Sequence, residues 1–233
     1  MNKELFINEL KKINISLTDT MLEQLDSYYQ LLVSENKKYN LTAITDKEQV
    51  YLKHFYDSLT LSKAIELNNQ SLCDIGTGAG FPGMILKIAF PNLNVTLVDA
   101  TEKKCKFLKM VIDKLNLKGI EVINARAEEY SKEKREIYDI VTSRAVAPLK
   151  HLLEYSIPLV KVDGTYIAMK SDIESELIGI ENYENKLSLC NRKILKFTLP
   201  VEESTRTLIS FNKSKKTNMI YPRRYNEIKK KSL

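Results

Sequence analysis

The chain has 233 residues, 43% of them hydrophobic and 28% charged, which suits one large domain with a buried core and excludes a disordered chain, a fibre and a small stapled scaffold. Three cysteines (Cys73, Cys105, Cys190) and two histidines (His54, His151) stand far apart, without CxxC or HxxxH spacing. No metal site is therefore expected, and reduced thiols point to a cytoplasmic address.

The first seventy residues read as helices. Leu22, Leu25, Tyr29 and Leu32 recur at helical spacing, and Thr20 with Glu23 forms a capping box near the start. A second box, Thr45 with Glu48, opens a stretch in which Val50, Tyr51, His54 and Phe55 share a face. Asn40 reads as the cap of the preceding helix, with the entrance of a binding pocket as its other role. No glycine precedes Gly76, as suits a compact helical lead-in.

From Ser71 the pattern changes to short apolar runs alternating with amphipathic segments, the mark of a doubly wound α/β sheet. Strands are predicted at Ser71–Ile75, Asn94–Val98, Ile120–Asn124, Ile137–Thr142, Gly164–Met169, Lys193–Leu199 and Arg206–Phe211. A crossover helix runs from Thr101, its N-cap, to Asn116 and stops before Gly119. The loop around Pro200 to Ser204 is too short for a parallel crossover, so the last two strands form an antiparallel hairpin. Three segments result: a helical lead-in over 1–70, a sheet domain over 71–212 and a basic tail over 213–233.

In that tail eight cations (Lys213, Lys215, Lys216, Arg223, Arg224, Lys229, Lys230, Lys231) face one acid, Glu227, so the net charge of +6 is terminal and the body near neutral. Such a tail can follow a phosphate backbone, and Tyr221 and Tyr225 add stacking faces that favour RNA. A solvated, solubilising terminus is the competing reading. No stretch approaches the ~20 apolar residues that span a bilayer, so no membrane partner is expected. A monomer is the default, although nothing in the sequence fixes the oligomeric state.

The most specific stretch is DIGTGAGFPG, Asp74 to Gly83, between the first strand and a helix that Pro82 opens. Gly76, Gly78 and Gly80 let the backbone turn tightly and let a ligand come against it. A dinucleotide fingerprint would need GxGxxG, whereas here the third glycine follows the second after two residues. Asp74 would repel a pyrophosphate but suit a cationic amino-acid moiety, so the loop favours S-adenosylmethionine over NAD. Asp99, ending the second strand, is placed to accept from ribose hydroxyls, with a helix cap as the alternative. After the third strand, Ala127 and Glu128 lie where an adenine is expected, and Glu128 also suits a first-turn helix acid.

These residues resemble a known family, the bacterial small-subunit ribosomal RNA guanine-N7 methyltransferases, also called glucose-inhibited division protein B. The resemblance covers nearly the whole chain: NKKYNLTAI (Asn36 to Ile44), HFYDSL (His54 to Leu59), DIGTGAGFPG, VDATEKK (Val98 to Lys104), ARAEE (Ala125 to Glu129), VTSRAVA (Val141 to Ala147) and YPRR (Tyr221 to Arg224). It implies a Rossmann-type class I methyltransferase fold, with cofactor contacts at Gly76, Phe81, Ala127, Glu128 and Arg144. It also implies methylation of guanine N7 in 16S ribosomal RNA near the decoding site, in the small subunit. Two departures stand out: Met169-Lys170-Ser171 where the family shows Lys-Gly, and YNEIKKKSL where a Gly-x-Pro stretch is commoner. Both are expected to lie away from the cofactor loops.

Guanine N7 carries an in-plane lone pair and no proton, so its methylation needs orientation rather than a base. That agrees with Ser143-Arg144-Ala145-Val146, which lacks the Asn/Asp-Pro-Pro-aromatic array of an exocyclic amine methylase. Arg144 is the candidate catalytic side chain, positioned to contact the cofactor or guanine O6, with a structural salt bridge as the alternative. His54 reads as a packing histidine near the pocket mouth and His151 as solvated. A small-molecule methyltransferase and a non-catalytic ribosome-binding protein are the two competing functions, since fold alone does not separate them.

Overall fold

The computed structural model describes residues 1–144, 147–231 and 233; of the predicted stretches, Ala145 and Val146 of VTSRAVA lie outside them. The lead-in consists of α1 (Lys3–Lys12), α2 (Asp19–Tyr39) and α3 (Lys47–Val50), a π-helical turn (Tyr51–Tyr56), α4 (Asp57–Leu59) and a 3₁₀ turn (Thr60–Lys63). Both predicted capping boxes are displaced. Thr18, not Thr20, caps α2 by accepting from Met21 N at 3.3 Å, and Asp46, not Thr45, caps α3 by accepting from Gln49 N at 3.0 Å. In each case an alternative cap one or two residues away sets the start that turns the apolar residues inward. Asn40 is the left-handed C-cap of α2, at φ 51°.

A seven-stranded sheet follows, in the order β3-β2-β1-β4-β5-β7-β6. Its strands are β1 (Ser71–Ile75), β2 (Asn94–Asp99), β3 (Ile120–Asn124), β4 (Tyr138–Arg144), β5 (Val160–Lys170), β6 (Leu189–Thr198) and β7 (Thr205–Lys213). The first five are parallel; β7 inserts antiparallel between β5 and β6, which makes the predicted hairpin. Helices α5 (Gly83–Ala89), α6 (Glu102–Lys114), α7 (Ala127–Glu133), α8 (Leu149–Ser156), α9 (Glu181–Leu187) and α10 (Tyr225–Lys230) cover both faces.

Strand alternation divides the core in two. Leu72, Ile140 and Ile167 pack with the lead-in, α5 and α6, whereas their neighbours Cys73, Val141, Tyr166 and Ala168 pack with α8 and α9. The lead-in is thereby part of one continuous core with the sheet. Chain order reverses direction between β1 and β4, so the carboxyl ends of these strands open the crevice in which doubly wound sheets hold ligands.

The tail is not solvated throughout, as its competing reading had it. Arg135 donates to the carbonyls of Tyr221 at 2.7 Å and Thr217 at 2.9 Å, drawing the segment against the body. Lys213 ends β7 and is buried, its Nζ donating to Glu136 at 3.1 Å and to the carbonyls of Val160 and Ile157 at 2.8 and 3.0 Å. Burial pushes its pKa down against the pull of Glu136. Arg223 forks onto the buried Glu154, with both nitrogen–oxygen distances 2.8 Å. Lys213 is accordingly withdrawn from the RNA-facing set, because its three N–H donors are all spent on protein acceptors, and Arg223 is a pin whose charge is paired with Glu154.

Candidate functional site

The glycine loop is tied down at both ends. Gly76 N and Thr77 N donate to the Val98 carbonyl at 2.8 and 3.1 Å, and Gly78 N donates to Asp99 Oδ2 at 2.9 Å. Asp74 Oδ2 accepts from Thr77 Oγ1 at 2.7 Å and from Gly83 N at 2.8 Å; its Oδ1 is buried with no partner. Burial raises the Asp74 pKa to about 6. Asp74 therefore braces the loop from beneath and lines neither cavity described below, contrary to the expectation of direct exposure to a ligand.

Two of the loop glycines have different reasons to be there. A Cβ on Gly78 would meet only the Gly76 carbonyl oxygen, at 4.0 Å, so this glycine opens the loop toward the crevice. A Cβ on Gly80 would lie 2.5 Å from the Tyr28 hydroxyl and 2.9 Å from Met84 Cβ, at φ 107°. Gly80 thus serves helix packing rather than ligand contact. Tyr28, which also donates to the Ala79 carbonyl, fastens α2 to the loop.

Two cavities open at the crevice. One, of about 520 Å³, is lined by Gly76, Gly78 and Phe81 of the loop, His54 of the π-helical turn, Arg144 and Arg206. The other, of about 700 Å³, is lined by Gly76, Asp99, Ala127, Glu128, Arg144 and Tyr225. Gly76 and Arg144 belong to both, so the two form adjoining lobes of one site.

Arg144 occupies the junction as the last residue of β4. Its Nη1 donates to the Lys53 carbonyl at 2.9 Å and to Asp57 Oδ2 at 3.2 Å, its Nη2 lies 3.2 Å from His54 Nδ1, and its guanidinium lies over the Phe81 ring at 5.1 Å. His54 Nδ1 also lies 3.2 Å from the Lys53 carbonyl, and Nε2 is 2.9 Å from Thr42 Oγ1, so both ring nitrogens are engaged. Burial, with Arg144 adding repulsion, drives the His54 pKa down to about 3, so the ring is neutral; it stacks on Phe81 with centroids 4.4 Å apart. Asp57 also accepts from Arg206 Nε at 3.1 Å. Burial raises its pKa against the pull of both arginines.

The salt-bridge alternative is therefore what Arg144 does in this state, with Asp57 as partner. Asp139, near the start of β4, instead holds Ser71 and Lys161. Asp57 and Arg206 were missed by sequence reasoning, although HFYDSL marked one of them. One helical turn brings Lys53, His54 and Asp57 together, but their partners Arg144 and Arg206 come from strands far along the chain, which no local pattern reveals.

Asp99, Ala127 and Glu128 gather in the larger lobe. Asp99 Oδ1 also accepts from Thr101 N at 2.8 Å, an Asx turn leading into α6, whose N-cap Thr101 makes no side-chain cap. Glu128 is both a first-turn acid of α7 and a wall of this lobe. His151 lines it as well and is partly buried, not solvated. Both sequence departures also border the site: Met169, Lys170 and Ser171 line the smaller lobe, and Tyr225 and Lys229 the larger. Lys215, Lys216, Arg224, Lys229, Lys230 and Lys231 are exposed.

A glycine cradle with two carboxylates beside it suits a nucleoside with a cationic amino-acid end. The fold agrees: a SAM dependent methyltransferase from Aquifex aeolicus is similar over 77% of this chain and 97% of that chain, at TM-score 0.53 and 15% identity. Fold and site together define an S-adenosylmethionine-dependent methyltransferase. The family model described as rRNA small subunit methyltransferase G matches residues 21–209. Proteins named Ribosomal RNA small subunit methyltransferase G from Staphylococcus carnosus and Bacillus cytotoxicus are 43% and 45% identical, each alignment covering 96% of this chain and 95% of the relative. The chain belongs to this family.

Proposed function

We propose that this protein transfers a methyl group from S-adenosylmethionine to N7 of a guanine in 16S ribosomal RNA, in the small subunit and in the cytoplasm. The observation that carries the reading is the pair of lobes meeting at Gly76 and Arg144, one walled by carboxylates and one by an aromatic and cations. Bound in the larger lobe, S-adenosylmethionine supplies an electrophilic methyl whose sulfur leaves with the bonding electron pair. The target base then belongs to the smaller lobe.

Asp99 retains free lone pairs beyond its two backbone donors, which suits ribose hydroxyls, while Ala127 and Glu128 serve the adenine side. The ring of Phe81, backed by His54, offers a flat apolar surface at the junction. Arg144, held over that ring, places positive charge where guanine O6 would lie; a contact to O6 alone leaves the N7 lone pair free to attack the methyl. The acid–base groups of the smaller lobe support N7 as the acceptor. His54 spends Nδ1 on Arg144, and Asp57 is shared by two arginines, so neither is poised to take a proton. N7 has none to give. Orientation of the reacting atoms in line can itself supply about 7–11 kcal/mol. Lys215, Lys216, Arg224, Lys229, Lys230 and Lys231 provide the phosphate-facing cations.

The test is transfer of labelled methyl from S-adenosylmethionine to unmodified small subunits, naked 16S RNA and bulk transfer RNA, with the product mapped by N7-methylguanine-specific strand cleavage. One cleaved position in 16S RNA is expected. Cofactor binding without incorporation into any RNA would point instead to a small-molecule acceptor or to a ribosome-binding factor.

A further inference from the structure

The outer wall of the larger lobe comes from the chain's last helix, far from the strands that supply the rest of it. Tyr225, the first residue of α10, and Lys229, one turn on, line this cavity together with Asp99 and Glu128. The Tyr225 ring is flanked by two cations, the Arg126 guanidinium at 5.5 Å and Lys229 Nζ at 5.3 Å. It remains 39% exposed, so an aromatic surface is held in place at the cavity with part of it free.

The helix is anchored as well as adjacent. Ile228 is buried, and the preceding Arg223 binds Glu154 with its backbone N–H at 2.9 Å in addition to its side-chain fork. Glu154 belongs to α8, whose His151, Leu152 and Tyr155 line the same cavity. One ion pair therefore fixes the helix to the element that forms the floor of the lobe. Lys230 and Lys231, which end and follow the helix, are exposed.

We infer that α10 is a wall of the cofactor site, with Tyr225 packing on the nucleoside half of S-adenosylmethionine, and that RNA engaging Lys230 and Lys231 tightens cofactor binding through this helix. The inference rests on the cofactor occupying the larger lobe. Linkage makes the effect reciprocal: the factor by which RNA strengthens cofactor binding is the factor by which the cofactor strengthens RNA binding. The tail then has two tasks in one segment, phosphate contact outward and cofactor contact inward.

Calorimetric titration of the full chain with S-adenosylmethionine, alone and with saturating unmodified 16S RNA transcript, tests this. Tyr225→Ala should weaken cofactor binding about tenfold, the scale of one base lost from an aromatic platform. Tyr225→Phe should bind like the parent, and Tyr225→Leu, which keeps the apolar bulk, checks the result if the alanine variant melts early. Lys230→Ala with Lys231→Ala should leave cofactor affinity unchanged without RNA and remove the RNA-induced tightening. Unchanged cofactor affinity in folded Tyr225→Ala, or no tightening by RNA in the parent, would overturn the inference. Failure of the parent to bind S-adenosylmethionine at all would overturn the cofactor reading beneath it, a separate readout.

Discussion

The two lobes that meet at Gly76 and Arg144 are built by different means. The larger collects residues that end β2 or follow β3 at the carboxyl edge, so Asp99, Ala127 and Glu128 owe their positions to the sheet. The smaller is assembled across the chain, with Asp57 from the lead-in joining Arg144 of β4 and Arg206 of β7. A carboxylate lies at the centre of the second arrangement and at the margin of the first. Damage to the smaller lobe should therefore be felt first as instability, and damage to the larger first as lost affinity.

Asp57→Ala gives the largest expected effect. It strands two guanidinium groups that are only 15% and 21% exposed, and breaking a buried pair by removing one partner costs about 3–5 kcal/mol. Urea denaturation should show it as a fall in midpoint at constant slope. A loss below about 1 kcal/mol would mean that water takes over both arginines, and the contrast between the lobes would fail.

His54 gives a pH signature of the same lobe. Its folded pKa of about 3 lies below the ordinary 6.5, so between those values the unfolded chain binds more protons and stability rises with pH. The contribution is absent below about pH 3 and complete above pH 6.5, on the order of 5 kcal/mol in full. Asp74 works in the opposite direction. Its folded pKa, raised to about 6 from 3.8, means that stability is lost as pH climbs through that interval. The difference in stability between the parent and His54→Asn should thus grow on going from pH 4 to pH 6, and that between the parent and Asp74→Asn should shrink. A flat difference for His54→Asn would mean that the ring is already wet.

The loop glycines sharpen the comparison further. Gly80→Ala forces a Cβ against the Tyr28 hydroxyl and Met84 at a strained φ, for a loss of about 1–3 kcal/mol in stability. Gly76→Ala, at φ 68° and lining both lobes, should cost about 1–2 kcal/mol of strain and in addition weaken S-adenosylmethionine binding in calorimetry. Equal affinity losses in the two variants would contradict the division of labour.

Much of this was legible in the sequence, and the parts that were not share a cause. Strands β1 and β3 fall where alternation placed them, and the hairpin followed from the short loop before Ser204, because these are local patterns. That β7 enters between β5 and β6 was not legible, since two antiparallel pairings compete and only tertiary packing selects one. Asp99 and Glu128 were visible through their offsets from strand ends. The Asp57 triad was not, because it joins residues separated by 87 and 149 positions. The tail misled for a third reason: charge counted along a sequence does not say which cations a fold will spend on its own carbonyls.

That last distinction yields the smallest expected effect and the most direct measurement. Lys213 and Lys230 are lysines of one basic tail, the first buried on Glu136 and two carbonyls, the second exposed. RNA affinity measured over a range of salt should lose about 0.7 from its log–log slope for each phosphate contact removed. Lys230→Ala should therefore flatten the slope by about that amount while leaving the melting temperature in place. Lys213→Met should do the reverse: the slope holds and the melting temperature drops, because buried acceptors lose their donor. If Lys213→Met also flattened the slope, its burial would have to be released on RNA binding, and the tail would act as one electrostatic arm rather than as a pinned segment with an exposed end.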